Sequence, residues 1–141
     1  MSLKVYFNNQ PIKNGEIISY ELSQKSILIT YDLPSDSLYT IIVYDVSAPS
    51  GLHPVNSPYL HYLESNIINK QSGDEISSYV PPEPPKDSGI HIYIIEIYEQ
   101  KKKIPKFTIV KREQYRLDRF INGFNLKLVD RFIFQVTLKL I

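Results

Sequence analysis

The sequence predicts a mainly β chain, a two-sheet β-sandwich with one short helix near the C-terminus. Three observations predict it. The tail alternates cleanly, with Phe132, Phe134, Val136, Leu138 and Leu140 on one face and Gln135, Thr137 and Lys139 on the other. Residues 38–44 read Leu-Tyr-Thr-Ile-Ile-Val-Tyr, a β-branched and aromatic run suited to a strand covered on both faces. The ten prolines cluster in connections, where a fixed φ and a missing N–H do least harm.

Taken in order, Ile27, Ile29 and Tyr31 alternate with Leu28 and Thr30, the period of a half-buried strand. Residues 59–67 and 90–98 are two further strands beside the 38–44 run. Helical spacing occurs once, at Leu117, Phe120, Ile121 and Phe124, and Gly123 marks its C-terminal end. Asp45-Val-Ser-Ala-Pro-Ser-Gly51 and Val80-Pro-Pro-Glu-Pro-Pro-Lys-Asp-Ser-Gly89 are turn-rich connections. With no repeat and no linker, residues 1–141 read as a single domain.

Composition excludes several classes of function. A net charge of +1 gives no pull toward nucleic acid. The absence of cysteine removes disulfides and thiolate metal sites, and suits a reducing compartment. No apolar run approaches the roughly 18 residues of a transmembrane helix, and the first residues lack the apolar core of a signal peptide. A soluble, cytoplasmic protein is expected.

Three histidines are candidates for chemistry. His53 lies in a Gly-Leu-His-Pro turn and carries no assigned role. His91 shares a strand face with Tyr93, Ile95 and Ile97, so two hydrogen-bonding side chains stand at one end of an apolar stripe. Gly89 before them permits close approach to the backbone. No His/Asp/Glu grouping has metal-ligand spacing, and no cofactor is expected. A Ser/His/Asp set can be written from Ser47 or Ser50 with His91 and Asp45, but without a nucleophile elbow. Lys101, Lys102 and Lys103, followed by Lys106, Lys111 and Arg112, concentrate positive charge. They read either as a solvated turn or as a weak contact with an anionic membrane surface.

Several segments together resemble the phosphatidylethanolamine-binding protein family, which includes Raf kinase inhibitor protein. Tyr39-Thr-Ile-Ile-Val-Tyr-Asp-Val-Ser-Ala-Pro-Ser50 resembles its strand and Asp-Pro-Asp-x-Pro loop. Leu60-His-Tyr-Leu-Glu-Ser-Asn-Ile67 is similar to its His-Trp-Leu-Val-x-Asn-Ile strand. The stretch from Tyr79 to Tyr93 resembles its Tyr-x-Gly-Pro-x-Pro-Pro-x-Gly-x-His-Arg-Tyr segment. Gly73-Asp-Glu, Tyr98-Glu-Gln100, Phe124-Asn-Leu126 and Phe132-Ile-Phe-Gln135 follow in the family's order.

The resemblance implies a sandwich with a shallow cavity for a phosphate-like anion, either a phospholipid head group or a phosphorylated side chain. Carried over by position, the ligand-binding residues are Asp45, Pro49, His61, Pro84, Pro85, His91 and Tyr93. Both imidazoles and the Tyr93 hydroxyl can donate to phosphate oxygens, while Asp45 fixes a histidine tautomer or accepts from a ligand's amine or hydroxyl. This sequence departs from the pattern at Val46, Ser47 and Ile92, and replaces glycines of the Pro-rich segment with Pro81, Pro82 and Asp87. The charges at 47 and 92 are expected to interact in the family, so that their joint loss keeps local balance. The chain ends at Ile141, directly after the last strand, without the helix that some members place beside the pocket, so a more open pocket is expected. Strained or cis bonds near the pocket are implied, with Ala48-Pro49 and Ser57-Pro58 able to hold them.

The expected function is that of a non-enzymatic binding module that modulates a signalling partner, for example a protein kinase. A peripheral protein of the phospholipid surface, using the pocket and the Lys101 to Lys103 turn, is the alternative. A hydrolase or protease inhibitor stands behind both.

Overall fold

Asn8 and Asn9 both take left-handed backbone, with φ of 53° and 62°, and so close a tight hairpin. That hairpin opens the chain in a computed structural model that describes residues 3–48, 55–86 and 88–137. The elements are β1 (Lys4–Phe7), β2 (Gln10–Ile12), β3 (Ile17–Ser19), α1 (Tyr20–Ser23), β4 (Ile27–Thr30) and β5 (Leu38–Asp45). They continue with β6 (Tyr59–Ile67), β7 (Asp74–Ser77), β8 (Ile90–Gln100), α2 (Leu117–Gly123) and β9 (Lys127–Thr137).

Two sheets result. The small one has the order β2-β1-β4, the large one β3-β9-β8-β5-β6-β7. All pairings are antiparallel except β3 with β9. Alternation decides what lies between the sheets. Val5 and Phe7 of β1 meet Ile41 and Val43 of β5, Tyr93, Ile95 and Ile97 of β8, and Phe132, Phe134 and Val136 of β9. The rings of Phe7 and Phe134 pack edge to face, with centroids 5.3 Å apart.

The outer face of the large sheet is covered as well. Ile42, Leu60, Leu63 and Tyr98 pack there against Ile104, and against Leu117 and Phe120 of α2. The 38–44 run is therefore buried on both faces, and the helix lies where its spacing predicts it. On this face the Glu96 carboxylate, 2% exposed, is held by Arg131 at 2.6 Å and by the Tyr98 hydroxyl at 2.9 Å.

The N-terminal elements and β7 are additions to the expected architecture. So is α1, whose Ser19 hydroxyl caps it by accepting from the Leu22 N–H at 3.1 Å. β9 begins at Lys127 rather than Phe132. Its first residues do not alternate because Leu128 and Val129 are both exposed and the register shifts opposite Ile97 and Tyr98. At Gly73 a Cβ would stand 2.0 Å from the Ser65 carbonyl oxygen, so the turn into β7 requires glycine.

The site lies at one end of the large sheet. Asp45, the last residue of β5, pairs with Tyr59 at the start of β6 on one side and with Tyr93 near the start of β8 on the other. No helix among the described residues is long and apolar enough to cross a membrane.

Candidate ligand-binding site

Around Asp45 opens a cavity of about 440 Å³, lined by Asp45, Ala48, Asn56, Tyr59, His61, Val80, Pro81, Glu83, Pro85, His91 and Tyr93. Of the residues proposed from sequence, Asp45, His61, Pro85, His91 and Tyr93 come together here. Pro84 does not reach the lining: Pro82 and Pro84 are buried, while Pro81, Glu83 and Pro85 line the cavity, the alternation of an extended segment. Pro49 and the Ala48-Pro49 bond lie outside the described residues. The Ser57-Pro58 bond is cis, one of the two positions expected to hold such a bond.

Strand geometry sets the chemistry. His91 and Tyr93, both 1% exposed, point the same way from β8. His91 Nδ1 lies 2.7 Å from Asp45 Oδ2, and the other Asp45 oxygen accepts from the Ser47 N–H at 2.6 Å. His91 Nε2 lies 2.9 Å from the Ser88 hydroxyl. That hydroxyl donates its proton to the Pro85 carbonyl. Both nitrogens of His91 are thereby engaged within the protein. The ring also lines the cavity.

The Asp45, His91 and Ser88 distances resemble those of a hydrolase triad, with Ser88 where the sequence suggested Ser47 or Ser50. The protons run the other way. An activated serine gives its proton to the histidine, whereas Ser88 gives it to a carbonyl. Ser88 is also absent from the cavity lining.

His61 Nδ1 lies 2.7 Å from the Val80 carbonyl, which can only accept, so Nδ1 is the donor, and the ring lines the cavity. Burial lowers its pKa below the ordinary 6.5; the Val80 bond and the Asp45 charge oppose the shift, while Arg112 and His91 add to it. The ring packs between Tyr59 and Tyr93 at centroid distances of 5.1 and 5.2 Å. Burial, then the nearby Asp45 charge, raises the Tyr93 hydroxyl well above its usual range. Tyr93 is backed by Phe134, stacked 12° from parallel.

Sequence reasoning did not single out Tyr59, Asn56, Glu83 or Ser88. Tyr59 was within reach of it, since two residues separate it from His61 on one strand. The positions at 47 and 92 do meet: the Ile92 N–H donates to the Ser47 hydroxyl at 3.2 Å. The basic run is divided. Lys101, Lys102 and Lys103 follow the far end of β8, ten residues beyond the cavity and so roughly 30 Å away. Arg112 instead sits beside His61, with its guanidinium spent on the Leu60, His61 and Ser78 carbonyls. Among the described residues no group of three or more His, Asp or Glu could hold a metal ion.

This end-of-sheet cavity, with two carboxylates, two imidazoles and two tyrosines, lies in a two-sheet β fold. Residues 6–134 match the family described as phosphatidylethanolamine-binding protein, and the chain belongs to that family. It is 29% identical over 106 residues to the protein MOTHER of FT and TFL1 homolog 2 of Oryza sativa subsp. japonica. That match covers 73% of this chain and 60% of the rice protein, so the chain spans less than two thirds of that relative. A carboxypeptidase Y inhibitor solved with its cognate proteinase shares the fold, with a TM-score of 0.83, 22% identity and coverage of 97% of this chain and 83% of that one. The phosphatidylethanolamine-binding protein of Plasmodium vivax does likewise, with a TM-score of 0.74, 19% identity and coverage of 97% and 86%.

Proposed function

We propose that the cavity binds a phosphate-bearing ligand, a phospholipid head group or a phosphorylated side chain, and that occupancy modulates a signalling partner such as a protein kinase. The observation that carries this reading is His61, whose Nδ1 is fixed on Val80 while its ring lines the cavity, leaving Nε2 as the nitrogen for a ligand. Tyr59 and Asn56 add a hydroxyl and an amide donor to the lining. The walls at Pro81 and Pro85 lose little freedom on binding. The protein acts without catalysis, a reading supported by the engaged Ser88 hydroxyl. The cysteine-free composition fits the cytoplasm.

Titration with phosphate, followed by NMR at the imidazole protons, tests the reading. Binding moves the His61 resonances, and His61→Gln abolishes the response. Unmoved His61 resonances at saturating phosphate would overturn it. The peripheral-membrane alternative would need both the cavity and the Lys101 to Lys103 turn, roughly 30 Å apart along β8, on one lipid surface, and vesicle co-sedimentation with the three lysines neutralised tests it.

A further inference from the structure

We infer that the free edge of β4 is a docking site for an extended, basic segment of a partner protein, which adds there as a fourth strand of the small sheet.

The three strands of the small sheet cannot cover the six of the large one. β4 ends the small sheet, and among the described residues no strand pairs with its outer edge. One bond fixes the direction of its backbone groups. The Asn8 N–H donates to the Ser26 carbonyl at 2.9 Å, and the ladder runs from Phe7 with Ile27 to Lys4 with Thr30 without a register shift. Alternation therefore turns residues 28 and 30 toward β1 and leaves the N–H and C=O groups of Ile27 and Ile29 facing outward. Edge strands are commonly blunted by proline, by a charge or by a bulge. β2, the other edge of this sheet, carries Pro11, whereas Ile27-Leu-Ile-Thr30 has none of these devices.

A cavity of about 320 Å³ runs along this edge, lined by Ile27, Leu28 and Ile29 together. Successive side chains of a strand point to opposite faces, so a space bordered by all three lies beside the strand rather than above it. Across it stand Tyr62 and Glu64 of β6, Glu75 of β7, and Tyr79. Glu64 and Glu75 are direct partners in the β6–β7 register, an arrangement in which like charges repel. The Glu64 carboxylate accepts from the Tyr62 hydroxyl and from the Gly73 N–H at 2.6 Å. The Glu75 carboxylate is exposed and has no hydrogen bond or ion pair among the described residues. No lysine or arginine joins the lining, and the Tyr79 hydroxyl is buried without a partner.

These features choose the occupant. The outward N–H and C=O groups of Ile27 and Ile29 suit an extended backbone, which binds by strand addition. Two carboxylates on one slot without a cation suit a lysine or arginine on the inward face of that backbone. Leu28, 51% exposed on the opposite face, suits an apolar neighbour. A second copy of this chain, paired β4 to β4, would bring no basic residue within the strand, because Ile27-Leu-Ile-Thr30 contains none.

A random heptapeptide library displayed on phage and panned on the full chain tests this. Enriched peptides should alternate apolar or β-branched residues with lysine or arginine, and synthetic copies should slow amide hydrogen exchange at Ile27 and Ile29. N-methylation of the peptide amides that face β4 should abolish binding, while methylation of the alternate amides should leave it intact. Glu75→Gln, at an exposed position, should weaken these peptides about fivefold, the upper scale of one exposed ion pair. Enrichment of no peptide, or of peptides whose binding ignores either the N-methylation or Glu75→Gln, would overturn the inference. Protection confined to residues around His61 would overturn it as well, and would assign the peptides to the end-of-sheet cavity. A concentration-dependent dimer that protects Ile27 and Ile29 without peptide would also overturn it, by placing a second copy on the edge.

Discussion

His91 Nδ1 stands 2.7 Å from Asp45 Oδ2 although 46 residues separate them, and both side chains are buried. The contact exists because β5 ends where β8 begins. Asp45→Asn keeps the side-chain shape but removes the charge that faces the imidazole. A loss of about 1–3 kcal/mol is expected, the usual cost of leaving a buried polar group poorly matched. Denaturant unfolding measures it, and an unchanged midpoint would contradict the assigned role of the pair.

Ligand affinity and fold stability should respond to acid in opposite directions through His61. Its pKa is lowered in the folded chain, so the unfolded chain takes up the proton first as pH falls through 6.5. The His61 contribution to stability is therefore complete above that pH and declines below it. A bound phosphate favours the protonated ring, which donates from Nε2, so affinity should rise from pH 8 to pH 6. The groups acting on the ring are the Val80 carbonyl, Asp45, Arg112 and His91. His61→Gln should flatten both profiles, which separates the imidazole from the ligand's own titration.

The Ser88 hydroxyl gives its proton to the Pro85 carbonyl and is expected to be unreactive. Incubation with a fluorophosphonate, followed by intact-mass measurement, should show no adduct. A stoichiometric adduct lost in Ser88→Ala would establish a nucleophile and displace the non-catalytic reading.

On the outer face of the large sheet, Arg131→Leu leaves the Glu96 carboxylate buried and short of its cation. Breaking a buried pair costs roughly 3–5 kcal/mol. The lower end is expected, because the Arg131 side chain is 49% exposed and water can replace part of it. The double variant with Glu96→Gln should recover much of the loss. A single variant as stable as the parent would remove Arg131 from the set of structural residues.

What the sequence made legible follows from the length and regularity of each signal. Ile42, Ile95 and Phe134 sit in long strands whose period-2 pattern survives intact, and Leu117 and Phe120 mark the helix by spacing alone. β1 to β3 are too short for a period to show, and their one strong mark is the Asn8-Asn9 turn. At the site, the position of His61, His91 and Asp45 followed from motif likeness, and the structure brings them together. The direction of each hydrogen bond did not follow, because it depends on Ser88 and the Pro85 carbonyl, which only the folded loop brings near His91. Glu83 was hidden by its prolines: a run rich in Pro reads as a turn, and its alternation appears only once Pro82 and Pro84 are seen to be buried.

β9 comes latest in sequence among the described strands, yet it is the partner of both β3 and β8. Until residues 132–136 are released, β3 has no strand to pair with and Tyr93 has no Phe134 ring behind it. The nascent chain can assemble β5 to β8 early, because those strands are joined by shorter connections. Its cavity, however, lacks a firm floor at that stage. A firm wall behind Tyr93 therefore waits on β9, however early β5 to β8 pair.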